Sequence, residues 1–249
     1  MNSVEPERPA SMPRQAMLLA AGRGERLAPL TDSVSKCMIP ISGRPLLEHN
    51  LDTLRSYGVT DLVINLHHLS QTITDYFGDG SRFGVRITYS FEPELLGTAG
   101  AVRKVAKFFN GPFFLWYGDN LSDCHLNRLW QFHHARRAFI TIALHRREDP
   151  TRSGIVGLDE NCRITRFLEK PRPDQIFSHL VSAGILVLER EVVALISDQH
   201  PSDFGKDVLP ALLEKNSRIY GYRLSDDESL RWIDTAEDLA AVQQVTSNT

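Results

Sequence analysis

Between residues 22 and 36, "GRGERLAPLTDSVSK", the chain sets Gly22 and Gly24 among Arg23, Arg26 and Lys36, directly after the apolar run 16–21. Two glycines where a strand stops can turn backbone N–H groups toward an anion with no Cβ in the way, and fixed positive charge strengthens the attraction. The combination suits a polyphosphate. A plain strand-to-helix turn with solvated basic side chains has the same composition and stays open for a lone glycine pair. Two other phosphate loops do not fit. The dinucleotide fingerprint needs a third glycine where Leu27 stands, and the ATPase-type loop needs a terminal Gly-Lys-Ser/Thr that is absent. Lys36 follows Gly24 by twelve residues, so a long loop must fold back to deliver its ammonium.

Other reactive side chains point to less. His67 with His68, and His133 with His134, lack a second cluster at metal-ligand spacing and read as surface or loop residues. Cys37, Cys124 and Cys162 are odd in number and far apart, which gives neither a zinc spacing nor a disulfide framework, so buried reduced thiols are expected. The basic run 136–147 is interrupted by an apolar strand and reads as a solvated face.

The elements that must position the loop alternate in type. "AMLLA", "LVINL", "VRITYS" and "FFLWYGD" read as strands, each followed by a helical pattern, over 46–56, 70–77, 98–108 and 126–137. Such alternation predicts an α/β fold with a mostly parallel sheet flanked by helices, and ligands at the carboxyl ends of the strands. Past residue 140, "GIVGLDENCRITRFLEK" reads as two strands joined by the turn Asp159, Glu160 and Asn161, a smaller lid-like β-rich subregion. Strands at "SAGILVLE" and "RIYGYRL" and helices near 207–214 and 236–244 follow. Residues 1–14, with three prolines and little apolar content, are expected to be a disordered tail before a single domain, 15–249.

With these residues in view, the glycine-rich stretch resembles the signature of the sugar-1-phosphate nucleotidyltransferases, the nucleotide-sugar pyrophosphorylases. Gly22, Gly24, Arg26, Leu27, Pro29, Leu30, Thr31, Lys36 and Pro40 match it, and Ser35 stands where that family usually has proline. "ELLGTAGAV", "YGDN", "FLEKP", "VSAGILVLE" and "RWIDTAEDL" resemble further family motifs in the same order, extending the likeness over residues 15 to 244. The resemblance implies a Rossmann-like nucleotide-diphospho-sugar transferase fold, with a nucleotide-binding half at about 15–140 and a sugar-phosphate-binding half at about 141–235.

It also implies roles. Ala20, Ala21, Gly22, Arg23 and Gly24 would bind the nucleotide, with the glycine-rich part at its phosphates, Gly97 and Thr98 would meet its base, and Asp119 and Asp234 would hold a Mg²⁺ ion. Arg26, Lys36 and Asp119 would be catalytic. Glu169, Lys170, Ser182 and Gly184 would bind the sugar phosphate, with Ser182 in place of the family's frequent asparagine. Taken singly, several of these residues have blander readings: Thr98 and Asp234 as helix caps, Asp119 as a turn residue, and Glu169 with Lys170 as a solvated strand end.

The activity implied is NTP plus sugar 1-phosphate giving NDP-sugar and pyrophosphate. "GTAG", "DPTRSGIVGLDENCRITRFLEKP" and "FGKDVLP" resemble the mannose-1-phosphate guanylyltransferase group, favouring GTP with a manno-configured or heptose sugar over UTP, dTTP, CTP or ATP with another sugar phosphate. A catalytically inactive binding homologue would have lost a charged anchor, and all are present. A Rossmann oxidoreductase is disfavoured by Leu27 and by the missing ribose-binding acid after the second strand.

Composition is compatible with this. The chain has 249 residues, 42% hydrophobic and 24% charged, with a net charge of −3, which supports a sizeable core and gives no electrostatic footprint for nucleic acid. No stretch approaches a membrane span and no secretory pattern opens the chain, so a cytoplasmic protein is expected, with a homo-oligomer possible.

Overall fold

In the computed structural model, which describes residues 11–199 and 201–246, the first strand β1 (Gln15–Leu19) lies inside a nine-stranded sheet. Successive side chains of a strand point to opposite faces. Ala16 and Leu18 accordingly enter one buried cluster and Met17 the other. The same division holds in β4 (Asp61–Leu66), where Leu62 and Ile64 oppose Val63, and in β6 (Phe113–Tyr117), where Phe114 and Trp116 oppose Phe113 and Leu115. Burial on both faces is why these strands read as unbroken apolar runs.

β1 pairs in parallel with β4 and β6, and β4 with β5 (Arg86–Phe91). Parallel neighbours need crossover connections. α1 (Leu46–Ser56), α2 (Ser70–Phe77) and α3 (Gly97–Lys104) provide them, with a small β2–β3 ribbon (Pro40–Ile41 and Arg44–Pro45) before α1. The expected mostly parallel α/β sheet is present. Beyond β6 the direction reverses: β11 (Leu180–Leu188) runs antiparallel to β6 and to β8 (Ile140–Arg146), and β12 (Ile219–Arg223) pairs with β8 in parallel.

The strands expected around residues 159–161 form an antiparallel hairpin, β9 (Gly154–Leu158) with β10 (Ile164–Glu169). Asp159 shapes its turn by accepting from the Asn161 and Arg163 N–H groups at 2.9 and 2.8 Å. The hairpin joins β11 through the pair Val181↔Ile155 and β12 through an isolated Arg163↔Tyr220 bridge, with Val156 and Ile164 in the core.

One ribbon was not anticipated. β7 (Asn120–Ser122) pairs antiparallel with β13 (Leu230–Trp232), setting Trp232 opposite Asn120. Its three-residue strands are too short for any periodicity to show.

Helix limits shift for local reasons. The run 98–108 starts at Gly97 and tightens into a 3₁₀ turn at Ala106–Phe108. α4 (Leu126–Ala135) stops short of residue 137, where Arg137 takes φ +47°, a left-handed conformation common just past helix ends. The helix expected at 207–214 is α5 (Leu209–Glu214), entered through a π turn at Phe204–Val208. α6 (Ala236–Thr246) contains the last expected helix.

The expected tail boundary is moved. Met12 packs against the core, and the Arg14 carbonyl accepts from the Thr60 and Asp61 N–H groups at 3.0 Å, so the folded body already includes residues 12–14. Residues 1–10 of that tail lie outside the described residues. His133 is also corrected: it is 1% exposed, its ring nitrogens 2.9 Å from Thr141 Oγ1 and 3.2 Å from Glu189 Oε1. Cys37 and Cys124 are buried thiols as expected, whereas Cys162 is half-buried in the hairpin turn at φ +63°. Among the described residues, no helix is long and apolar enough to cross a membrane.

Candidate active site

The loop after β1 folds back through three 3₁₀ turns, Glu25–Leu27, Leu30–Asp32 and Lys36–Met38. Gly24 is the bearing of this fold. It has φ +68°, and a Cβ there would stand 3.0 Å from both Lys36 Cβ and Thr31 Cγ2. Thr31 Oγ1 donates to the Gly24 carbonyl at 2.9 Å, closing the loop on itself. The N–H of Ala20, a residue expected to bind the nucleotide, donates to Asn65 Oδ1 at 2.8 Å. Among the described residues, no protein acceptor takes the N–H groups of Ala21, Gly22, Arg23 or Gly24. Four such donors at a strand end are a ready anion nest.

Folding back delivers Lys36. Its ammonium, 7% exposed, lies 2.7 Å from Asp119 Oδ2 and 2.7 Å from Asp234 Oδ1, and Arg26 Nη2 is 3.1 Å from the same Asp234 oxygen. Two carboxylates distant in sequence therefore meet at one nitrogen. The ribbon brings them there, since Asp119 immediately precedes β7 and Asp234 follows β13 by one residue. Asn120 locks the junction. It accepts from Trp116 Nε1 at 2.8 Å and donates to the Ala183 carbonyl at 2.6 Å.

Burial opposes charge on Lys36, but Asp119 and Asp234 outweigh it and hold its pKa above the usual value. Burial likewise opposes ionisation of Asp234, and Lys36, Arg26 and Arg147 together hold its carboxyl below the ordinary range. Asp234 does not cap α6. Thr235 Oγ1 accepts from the Asp238 N–H at 3.2 Å, and Asp238 Oδ2 accepts from the Asp234 and Thr235 N–H groups at 3.1 and 3.0 Å. That reciprocal cap leaves the Asp234 carboxylate free to face the site.

A cavity of about 620 Å³ opens over the nest and a second of about 310 Å³ over the hairpin, both within the range of small-molecule sites. Arg26, Thr98, Tyr117, Asp119, Asp203 and Asp234 line both. Among the described residues, no histidine lines either.

In the larger cavity Gly97 is present as expected, but its glycine requirement comes from the protein. At φ +77° its Cβ would fall 2.4 Å from the Ser202 carbonyl oxygen, because the 202 backbone bonds to Leu96, Ala99 and Gly100. Thr98 caps no helix. Its hydroxyl donates to Asp203 Oδ1 at 3.2 Å and accepts from the Phe204 N–H at 2.9 Å. Asn65 and Glu92 are wall residues that sequence reasoning missed; Asn65 Nδ2 donates to Glu92 Oε1 at 2.8 Å. Their only sequence signal was a polar residue within or just after an apolar strand.

Glu169, Lys170, Ser182 and Gly184 all line the smaller cavity. Burial pushes the Glu169 carboxyl up, Lys170 and Lys206 act against that, and Asp203 adds to it. Lys170 takes φ +49° as its N–H donates to the Ser153 carbonyl at 3.1 Å, which ends β10 in the cavity wall. Ser182 and Gly184 form an irregularity in β11. Ser182 Oγ accepts from the Gly184 N–H at 3.3 Å, and Gly184 at φ +69° leaves room for Asn120 and Tyr117. Arg152, Lys206 and Trp232 were missed as lining residues. Arg147, read as part of a solvated face, stacks on Trp232 with its guanidinium carbon 4.7 Å from the ring centroid.

Asp119 and Asp234 could hold a divalent cation. They are hard oxygen donors, and a cationic group, the Lys36 ammonium, already lies between them. A second group, His125, Asp227 and Glu228, lies close enough to share an ion, but Arg128 holds Asp227, and Glu228 accepts from the His125 and Ser225 N–H groups and the Tyr222 and Ser225 hydroxyls.

The sequence matches the nucleotidyl transferase family model over residues 15–246. It is 38% identical over 212 residues to the mannose-1-phosphate guanylyltransferase of Mycobacterium tuberculosis, covering 83% of this chain and 58% of that one. It is 34% identical over 234 residues to the UTP–glucose-1-phosphate uridylyltransferase of Synechocystis sp., covering 88% and 59%. The chain thus spans a little under three-fifths of the length of these relatives. In fold it resembles UDP-glucose pyrophosphorylase complexed with UDP-glucose, with a TM-score of 0.83, 18% identity, and 95% and 99% of the two chains covered. It also resembles HddC from Yersinia pseudotuberculosis complexed with GMP-PN, with a TM-score of 0.77, 21% identity, and 93% and 98% covered. A backbone nest, a folded-back lysine and two converging acids, together with a family match over nearly all the described residues, establish that this chain belongs to the nucleotidyl transferase family.

Proposed function

We propose that the protein condenses a nucleoside triphosphate with a sugar 1-phosphate, giving an NDP-sugar and pyrophosphate. The observation that carries this reading is the wall of Arg26, Asp119 and Asp234 common to both cavities, which gives two anionic reactants one meeting place. The triphosphate lies on the N–H groups of Ala21 to Gly24 with Arg26 at its β- and γ-phosphates, and the sugar lies against Glu169, Ser182 and Gly184.

An oxygen of the sugar phosphate, already ionised near neutral pH, attacks the α-phosphorus, and the bond to the β-phosphate breaks as pyrophosphate leaves with the electron pair. No proton has to be removed. The chemical demand is alignment and charge neutralisation. Lys170 holds the nucleophilic phosphate. Lys36, exchanged from its place between the acids, neutralises charge at the transferring centre. Mg²⁺ held by Asp119 and Asp234 supplies Lewis-acid stabilisation of the phosphate oxygens when bound.

GTP with mannose 1-phosphate or a related manno-sugar or heptose phosphate is the preferred pair, supported by the "GTAG" loop and the 38% identity to the Mycobacterium enzyme. UTP with glucose 1-phosphate is the second reading, supported by the 34% identity to the Synechocystis enzyme. The site of action is the cytoplasm. Incubation with each NTP, Mg²⁺ and a panel of sugar 1-phosphates, following pyrophosphate, tests the assignment. Release with one pair is the expected result; no release with any pair overturns it in favour of a binding protein.

A further inference from the structure

The Glu169 carboxylate is held in place without a bond. Among the described residues, no hydrogen bond or ion pair within 4 Å engages it, although Lys170 and Lys206 influence it electrostatically. Two glycines from separate elements flank it instead. Gly154 stands directly across the hairpin from Glu169, and a Cβ there would fall 2.8 Å from Glu169 Oε2, and also 2.2 Å from Phe167 Cζ.

Gly205, in the π turn before α5, is the more telling of the two. A Cβ at Gly205 would lie 2.5 Å from Glu169 Oε2, 3.1 Å from its Cδ and 3.3 Å from its Cγ, so all three nearest atoms belong to this one side chain. Gly205 has no positive φ, and its backbone accepts an L-residue without strain. What excludes a side chain is the space that the carboxylate fills.

We infer that Gly205 is a positioning residue: lacking a side chain, it sets the depth at which Glu169 meets the sugar in the smaller cavity. This rests on the proposed activity and adds to it a residue that the "FGKDVLP" resemblance gave no role. Because the obstructing atoms are the far end of a flexible side chain, Gly205→Ala moves the carboxylate and leaves the backbone where it is. An acceptor displaced by about an ångström costs on the order of tenfold to a hundredfold.

The test uses the full chain with Mg²⁺ and whichever wild-type pair is faster, GTP with mannose 1-phosphate or UTP with glucose 1-phosphate. Gly205→Ala raises the sugar-phosphate KM about tenfold and leaves the nucleotide KM unchanged. In a Glu169→Ala background, where there is no carboxylate to push, the same substitution adds nothing. An unchanged sugar KM overturns the inference, as does an equal increment in both backgrounds. Should Gly205→Ala fail to fold, rescue by Glu169→Ala supports the inference, and failure to rescue overturns it. Failure of the underlying activity is read separately, as wild-type protein that releases no pyrophosphate with any pair; that outcome removes both readings.

Discussion

The two cavities that meet at Asp119 and Asp234 are built by different means. The larger presents main-chain groups: the N–H groups of Ala21 to Gly24 sit at the end of β1, a strand buried on both faces. The smaller presents side chains from around the β9–β10 hairpin and a π turn, among them Arg152, Glu169, Lys170 and Lys206. Under the proposed function, a backbone nest fixed by the fold would serve any triphosphate. Side chains of a hairpin and a turn can be exchanged one at a time, which would suit the end of the site that tells sugars apart. Chemistry belongs where the two constructions touch.

The hardest way to break that comparison is to damage the shared wall. Asp119→Asn keeps the shape of the side chain and removes its charge, so it should cut kcat by about a thousandfold whichever NTP and sugar phosphate are supplied. Pyrophosphate release under saturating substrates measures it. Near-normal turnover would take Asp119 out of the reaction and leave two unrelated pockets.

Lys36→Met is next. Removing the ammonium leaves Asp119 and Asp234 facing each other, with Asp234 only 9% exposed at its side chain. Arg26 still pairs with one Asp234 oxygen, but a buried carboxylate that loses its nearest cation and faces a second carboxylate is destabilised. The variant should therefore lose kcat by roughly a hundredfold and melt below wild type, with millimolar Mg²⁺ restoring part of the lost melting temperature. A melting curve indifferent to Mg²⁺ would show that the two acids do not share an ion.

Lys170→Ala sharpens the contrast between the two sides. It should raise the KM for the sugar phosphate by about tenfold to a hundredfold and leave the KM for the nucleotide close to wild type. Equal effects on both would mean that the cavities are not specialised as their construction suggests.

How much of this could be read in advance follows the same division. β1, β4 and β6 announced themselves because burial on both faces leaves only apolar residues, and helices 46–56 and 70–77 fell at the limits observed for α1 and α2. The nest was legible because glycines and basic residues sit close together in the chain. Lys36, Asp119 and Asp234 were expected through family likeness, but not the means of their meeting: the β7–β13 ribbon is three residues long on each side and carries no period. Lys206, Arg152 and Asn65 were invisible because an exposed basic residue, or a polar one in a strand, has no local mark of the wall it will line. The pairing of Thr98 with Asp203 was not legible because the two lie 105 positions apart.

Ser35 offers the finest test of the claim that the nest side is set by backbone. The family's usual proline is absent here, which raises the question of whether the loop aiming Lys36 is loosened. The backbone at Ser35 has φ −54° and ψ 136°, values a proline ring accepts, and no described hydrogen bond uses its N–H. The Ser35 hydroxyl is itself buried with no hydrogen-bond partner among the described residues. Ser35→Pro therefore removes an unpaired polar atom and restricts the unfolded chain, and both effects have the same sign. A gain of about 0.4–1 kcal/mol should follow, read as a rise of roughly 1–4 °C in melting temperature for a chain of this size. A loss of stability would mean that the loop's path depends on contacts of Ser35 itself. A gain would show that the backbone already follows the proline's course, with the side chain playing no part in aiming Lys36 at the two acids.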